Sequence, residues 1–191
     1  MVNLRDVSCC LITKDPRYPE VLLYHVSQFE FGEILILTNC DSPHRKHELF
    51  SKAKYDLLYY QDDDAICPIE ELAQAADPAI ITCAMKTGHL AKYADSRIAL
   101  LGWGSIFSKG KLDVLERYRA KYGADFLYQR ETERILTYLN YPQQRLDLFI
   151  ADLPSHAAPD RLSMQPHHYD YIPEVEARCA TLDAEAQLAA G

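Results

Sequence analysis

The stretch YDLLYYQDDDAICP, Tyr55–Pro68, is the part of the chain that decides the fold. Its short apolar run, Leu57–Tyr60, is typical of a strand buried on both faces, and such strands occur mostly in sheets that helices cover on both sides. Three consecutive carboxylates, Asp62, Asp63 and Asp64, follow this run. Because ligands of such sheets bind beyond the carboxyl ends of the strands, the acidic triplet is predicted to lie in a ligand site.

The triplet itself indicates what kind of ligand is expected. Three adjacent carboxylates repel one another, and each loses hydration energy when it is desolvated. A divalent cation is the simplest partner that makes the triplet favourable, and oxygen ligands suit Mg²⁺ or Mn²⁺. The alternative is that an Asp caps the helix predicted to begin near Pro68. Three acidic residues exceed what one cap needs.

Strand and helix patterns alternate through the first half of the chain, which is typical of an α/β domain with a parallel sheet. The predicted strands are Val7–Ile12, Glu33–Thr38, Leu57–Tyr60 and Ala79–Ala84. The predicted helices are Pro19–Val26, His44–Lys52 and Pro68–Ala76. The last of these ends before Pro78, because a proline disfavours the helical conformation of the residue that precedes it.

The second half of the chain is predicted to complete the same domain. Helices are expected over Lys111–Tyr122 and from about Leu127 to Asn140, and a last strand over Leu146–Ile150. The chain lacks an internal repeat or a linker-like segment, so residues 1–173 are assigned to one domain. Residues 174–191 are rich in Ala and Glu and are predicted to form a peripheral helical tail.

Composition limits the classes of function. The chain has 191 residues and a formal net charge of −8, without a block of Lys and Arg. This disfavours strong non-specific binding to nucleic-acid backbones but allows a local basic patch. Polar residues interrupt the N-terminus, no apolar run reaches membrane-spanning length, and none of the six cysteines forms a C-x-x-C pair. A cytoplasmic protein with reduced thiols and without a membrane segment is therefore expected.

Five segments, taken in order, resemble the GT-A fold glycosyltransferases, most closely the family 2 type. They are the loop Thr13–Arg17, the strand Glu33–Asn39, the D-x-D motif Asp62–Asp64, the loop Gly102–Ser105 and the acidic helix start Glu131–Glu133. The resemblance covers about residues 7 to 171. It implies a single GT-A, Rossmann-like domain with a mostly parallel sheet, and a transfer of a sugar from a nucleotide-sugar donor.

The resemblance also assigns roles to residues. The last Asp of the motif, Asp64, is expected to bind Mn²⁺ or Mg²⁺, and the first, Asp62, to lie near the nucleotide, while Asp63 stays open between these roles. A divalent cation neutralises the departing diphosphate. The further residues expected at a donor such as a UDP-sugar are Thr13, Asp15, Arg17, Asp41 and Arg161. The loop around Thr13 is alternatively an ordinary turn sequence.

An inverting transfer needs a base that takes the proton of the acceptor hydroxyl, and the family has an acidic residue at a helix start for this role. Glu131 and Glu133 are the candidates here. At about 100° per residue they lie on nearly opposite sides of a helix. Glu131 lies closer to the apolar stripe around Ile135, so it is ranked first and Glu133 is expected to point toward solvent. Both could instead only favour the helix N-terminus electrostatically.

Two further groups carry expectations. Many GT-A enzymes complete the metal shell with a late histidine, which makes His168 the first candidate and His167 the second. Both could equally be surface histidines. Trp103, between Gly102 and Gly104, could present its indole for stacking on a sugar or could be a core residue beside a tight turn.

The acceptor and the class of activity stay open at the level of sequence. A glycan, a small molecule, a protein side chain or a modified, phage-type DNA base are all compatible with so short a chain. The alternative activities are a nucleotidyltransferase, and a non-catalytic nucleotide-binding module of the same fold. The loop after the first strand lacks the Gly that a nucleotidyltransferase normally has there, and the intact acidic triplet disfavours a non-catalytic module.

Overall fold

The computed structural model of the protein describes residues 1–13, 19–38, 40, 44–153 and 169–190. Its strands are β1 (Val7–Thr13), β2 (Glu33–Thr38), β3 (Leu57–Asp62), β4 (Ala65–Ile66), β5 (Thr82–Met85), β6 (Ser105–Ser108), β7 (Gln144–Asp147) and β8 (Ala151–Asp152). Its helices are α1 (Pro19–Val26), α2 (Arg45–Lys52), α3 (Ile69–Ala75), α4 (Thr87–Lys92), α5 (Asp113–Tyr122), α6 (Phe126–Leu139) and α7 (Ile172–Ala190).

A six-stranded sheet of order β2-β1-β3-β6-β5-β7 forms the centre, so the fold is α/β with a mostly parallel sheet flanked by helices. The pairs β1–β2, β1–β3 and β5–β7 are parallel, whereas β6 runs antiparallel to both β3 and β5. A two-residue ladder between β4 and β8 makes a second, small sheet. This ladder brings the chain after β7 to the acidic triplet.

The core lies on both faces of the sheet, which explains why the central strands lack polar alternation. All seven residues of β1 are buried. Because successive side chains of a strand point to opposite faces, Cys9 and Cys10 pack in different clusters. The cluster around Cys10 includes residues of α2, α5 and α6, and the cluster around Cys9 includes residues of α1 and α3.

Several element bounds differ from those predicted by the sequence. The strand β3 continues through Asp62, so the acidic triplet begins inside the sheet. The last predicted strand, Leu146–Ile150, does not form as one element. The strand β7 ends at Asp147, β8 begins at Ala151, and the residues between them are irregular. The short strands β4 and β8 have too few residues for a periodic pattern, which is why the sequence did not indicate them.

The C-terminal helix is part of the core. The sequence predicts a peripheral tail from residue 174, whereas α7 begins at Ile172 and packs against α6. Val175, Cys179 and Leu182 are buried in the same cluster as the α6 side chains. Their spacing of four and three residues puts them on one helix face, which is the face that α6 covers.

Candidate functional site

The acidic triplet forms a turn at the carboxyl edge of the sheet. Asp62 ends β3, and Asp63 and Asp64 lie in the turn that leads to β4. In the parallel register Ile12 of β1 is opposite Asp62, so the next residue, Thr13, reaches the turn. Its Oγ1 donates a hydrogen bond of 2.8 Å to Asp63 Oδ2. The two strand ends are thus joined at the place where ligands of such sheets bind.

Gly102 lies against the first carboxylate of the turn. The amide of Asp62 donates to the Gly102 carbonyl at 2.8 Å. A Cβ atom at position 102 would lie 2.3 Å from Asp62 Oδ2, a separation that real Cβ atoms do not show. The absence of a side chain at Gly102 therefore allows the loop to approach Asp62. The Gly102 carbonyl is occupied by its hydrogen bond to the acidic turn.

A buried ammonium group connects the turn to α6. Lys46 Nζ donates to Asp62 Oδ2 at 3.0 Å, and it also donates to the hydroxyl of Tyr60 and to Glu133 Oε1. The Tyr60 hydroxyl lies 2.6 Å from Asp62 Oδ1 and 2.8 Å from Glu133 Oε1. Only 11% of the Lys46 side chain is exposed. We call these four residues, Tyr60, Asp62, Lys46 and Glu133, the lysine cluster.

The two carboxylates of the lysine cluster compete for the proton of one hydroxyl. Lys46 directs three N–H donors at three acceptors, so the Tyr60 hydroxyl has one proton for two carboxylates. Burial raises the pKa of Asp62 to about 7, although the Lys46 ammonium opposes that shift. Burial also acts to raise the pKa of Glu133, but Lys46 outweighs it and the pKa of Glu133 is lowered. A proton near neutral pH therefore goes to Asp62 rather than to Glu133.

His47, beside Lys46 on α2, is a further titratable group near this cluster. Both of its ring nitrogens are buried and lack a hydrogen-bond partner. Burial lowers the pKa of His47 to about 3, although Glu133 acts in the opposite direction. The ring packs edge to face on Phe50, with centroids 5.4 Å apart. The imidazole is thus held neutral at physiological pH.

Glu131, which the sequence ranks first as a base, lies in a different environment. Its carboxylate is 3% exposed, with Arg134 Nε at 2.6 Å from Oε2 and Arg130 Nε at 3.4 Å from Oε1. Burial raises its pKa, although these arginines oppose the shift. No described contact joins Glu131 to the acidic turn. We call Glu131, Arg130 and Arg134 the arginine cluster.

The expectation that Glu133 points toward solvent is wrong, because its carboxylate bonds to Lys46 and Tyr60. The reason is the packing of α2, which brings Lys46 to the face of α6 that carries Glu133. Glu131 has φ −114° and ψ 23°, which is not helical, so the helix consists of two stretches joined at this residue. This kink precedes Glu133 and leaves its position relative to Ile135 unchanged, and Glu131 is the more buried of the two glutamates.

Trp103 is a core residue. Its side chain is 5% exposed, the ring of His89 packs against it at 4.6 Å, and Lys86 Nζ lies 5.0 Å from its ring centroid. Lys86 in turn forms an ion pair with Asp152 of β8. An indole that is covered in this way does not offer a face for stacking on a sugar, so the core alternative describes Trp103.

Six of the residues predicted for the site lie outside the described residues. They are Asp15, Arg17, Asp41, Arg161, His167 and His168. Of the predicted residues that are described, the structure brings together Thr13, Asp62, Asp63, Asp64 and Glu133.

Sequence reasoning missed Lys46 and Tyr60. Tyr60 could have been found, because it lies two residues before Asp62 on the same face of β3. Lys46 gives no such indication, because it is a single lysine among polar residues after β2 and only the packing of α2 brings it to Asp62.

The described residues do not by themselves form a divalent-cation site. Within the described ranges, no group of three or more His, Cys, Asp or Glu is arranged to hold a metal ion. Both oxygens of Asp62 face Lys46 or Tyr60, and Asp63 Oδ2 accepts from Thr13. The carboxylates of Asp63 and Asp64 are hard oxygen donors that suit Mg²⁺ or Mn²⁺. Further ligands would come from outside the described residues.

No protein-family model matches the chain, and no curated protein matches it. In the part of the chain that the structure describes, none of the helices combines the length and the apolar character needed to cross a bilayer. The function is therefore inferred from the chemistry of the site.

Proposed function

We propose that the protein is a metal-dependent glycosyltransferase that moves a sugar from a nucleotide-sugar donor to a hydroxyl acceptor. One observation supports the proposal most directly. The acidic turn lies at the carboxyl edge of a mostly parallel sheet, and its first residue, Asp62, is in the same cluster as Glu133 from the middle of α6. This arrangement puts donor-side acids beside a candidate proton acceptor, which inverting transfer requires.

The donor is expected to bind at the acidic turn. In this proposal Asp64, together with His168 or His167, holds Mn²⁺ or Mg²⁺, which would neutralise charge on the departing diphosphate. Asp62, which Lys46 and Tyr60 hold in one orientation, is assigned to the nucleotide side in this proposal. Such a fixed carboxylate avoids the entropy cost of being ordered when the ligand binds.

Glu133 is the better candidate for the base on grounds of geometry. A base must reach the acceptor hydroxyl beside the donor, and Glu133 shares Lys46 with Asp62 of the turn. Lys46 lowers its pKa, so its carboxylate is ionised at neutral pH. In the transfer step it takes the acceptor proton while the acceptor oxygen bonds to the anomeric carbon and the bond to the diphosphate breaks.

Calorimetry with UDP, with Mn²⁺ and with chelator, tests the donor site. We expect Mn²⁺ to be required for tight UDP binding, and Asp64→Ala to abolish the effect of the metal. Asp56→Ala is the matched control, because Asp56 is exposed just before the same strand. Equal UDP affinity with Mn²⁺ and with chelator would contradict a metal-dependent donor site.

A hydrolysis screen of nucleotide sugars with Mn²⁺ tests the activity without a known acceptor. Release of free sugar and nucleoside diphosphate supports a glycosyltransferase, whereas release of pyrophosphate from a nucleoside triphosphate and a sugar phosphate supports a nucleotidyltransferase. Binding of UDP without any turnover, in the presence of the candidate acceptors, indicates a non-catalytic module.

His168→Ala is expected to weaken metal-linked binding of UDP more than His167→Ala.

A further inference from the structure

Arg130, one turn into α6, has a guanidinium group whose hydrogen-bonding capacity is not used. Its Nε and Nη2 atoms are both buried and lack a hydrogen-bond partner. Among the described residues it is the only arginine with two such nitrogens. Buried donors without acceptors are unfavourable, and in native proteins they usually mark a bound water, ion or ligand.

Two aromatic rings hold this guanidinium in place without accepting its hydrogen bonds. The Cζ atom lies 5.9 Å from the centroid of Phe126 and 5.4 Å from that of Tyr171. The two rings pack edge to face at 5.2 Å. Contact of this kind orients a planar cation and leaves its N–H groups available for an anion.

Glu131 is the carboxylate that the described residues place beside Arg130. Arg134 donates to its Oε2 in a hydrogen bond of 2.6 Å. Arg130 approaches the other oxygen only to 3.4 Å, without a hydrogen bond. Glu131 therefore leaves the Nε and Nη2 donors of Arg130 available for an anion.

Arg130 lies at the protein surface, near the helix that carries Lys46. Its side chain is 14% exposed, whereas its Nε and Nη2 atoms are buried. The carbonyl of the preceding residue, Gln129, accepts a hydrogen bond of 3.3 Å from the amide of His44, just before α2. Arg130 therefore lies beside the start of α2.

We propose that Arg130, which packs against the rings of Phe126 and Tyr171, binds a phosphate-type oxyanion. The guanidinium matches the geometry of phosphate oxygens and can bind two of them at once. The oxyanion is either the diphosphate of the donor nucleotide or a phosphoryl group on the acceptor. Anion binding itself does not depend on the proposed glycosyltransferase activity, but its assignment to donor or acceptor does.

The test is calorimetry with inorganic pyrophosphate on the full chain. Arg130→Met is expected to weaken binding by about tenfold or more, since a charged hydrogen bond is lost. Arg130→Lys keeps the charge but not the planar fork, so it should fall between wild type and Arg130→Met. Arg117→Met, an exposed arginine on α5, is the control and should bind as wild type.

A second arm separates the two sources. If Arg130→Met weakens UDP and pyrophosphate binding alike, the site holds the donor diphosphate. If UDP affinity is unchanged and pyrophosphate still binds beside UDP, the site holds a phosphoryl group of the acceptor. Should Arg130→Met fail to fold, Phe126→Ala replaces it, because Phe126 is 56% exposed and its loss removes one of the two rings that Arg130 packs against. Wild-type protein that binds no pyrophosphate, or an Arg130→Met variant that folds and binds it as wild type does, would overturn the proposal.

Discussion

The lysine cluster and the arginine cluster lie next to each other on α6 and have opposite compositions. In the lysine cluster one ammonium group serves two carboxylates, Asp62 and Glu133. In the arginine cluster two guanidinium groups serve one carboxylate, Glu131. Among the residues that the structure describes, the first therefore has fewer cations than carboxylates and the second has more.

In the proposed mechanism the two glutamates differ in their contact with the acidic turn. Glu131 is the more buried of the two, and its oxygens face Arg130 and Arg134. Glu133 shares Lys46 with Asp62, so a change at the acidic turn changes the environment of Glu133. Contact with the turn, and not burial, is therefore the reason for proposing Glu133 as the base.

Substitution of Glu133, the proposed base, should have the largest effect on sugar transfer. Glu133→Gln is expected to lower sugar transfer by roughly 10² to 10⁴, the usual range for loss of a general base. UDP affinity should stay unchanged, because the amide preserves the shape of the side chain. The measurements are single-turnover transfer and calorimetry with UDP.

Glu131→Gln is the matched variant from the arginine cluster. Its transfer rate is expected to fall by less than about tenfold, because Glu131 makes no described contact with the acidic turn. An inactive Glu131→Gln beside an active Glu133→Gln would instead support the ranking that the sequence suggests. The shared contact with Lys46 would then not identify the base.

Removal of the shared ammonium group should be the next largest effect. Lys46→Met leaves two partly buried carboxylates without their cation, which is expected to lower the free energy of unfolding by about 1–3 kcal/mol. Urea unfolding at pH 7 measures this. Lys52→Met, at the exposed end of the same helix, should change it by less than about 0.5 kcal/mol. A Lys46→Met variant as stable as wild type would show that the lysine cluster is solvated.

The stability of the protein at acid pH should depend on His47. The pKa of His47 is lowered from 6.5 to about 3, so the unfolded chain binds more protons than the folded one between these values. Stability should therefore fall as pH decreases from 6.5 toward 3, by up to about 1.4 kcal/mol per pH unit. His47→Leu should remove this slope in urea unfolding measured from pH 4.5 to 7.5.

Asp62 should act with the opposite sign in the same experiment. Its pKa is raised from 3.8 to about 7, so the folded state holds the extra proton and this contribution to stability is lost as pH rises through that window. Asp62→Asn should remove that loss. If the free energy of unfolding changes with pH equally in both variants and in wild type, the desolvation that the structure indicates for these two groups is contradicted.

The sequence predicted much of the sheet and the position of the site. The bounds of α1 and β2 are those predicted, and the apolar run before Asp62 is a buried strand at the centre. These segments could be predicted because their patterns are local and strong. The direction of β6 could not be, because four residues give no indication of which neighbour they pair with.

The same distinction applies to the site residues. The acidic triplet was identifiable because three carboxylates after a buried strand are unusual in themselves. The contact of Glu133 with Lys46 was not, because it depends on how α2 packs beside α6, and no local sequence pattern indicates that packing.

By itself, the sequence determined an α/β domain and the position of an acidic turn at the carboxyl edge of its sheet, since both follow from the order of apolar and charged residues along the chain. Only the tertiary structure decided which cations accompany those acids. Lys46 meets Asp62 across 16 residues and Glu133 across 87. Contacts over such separations depend on how helices pack on the sheet, and each desolvated charge takes the partner that the packing brings within reach.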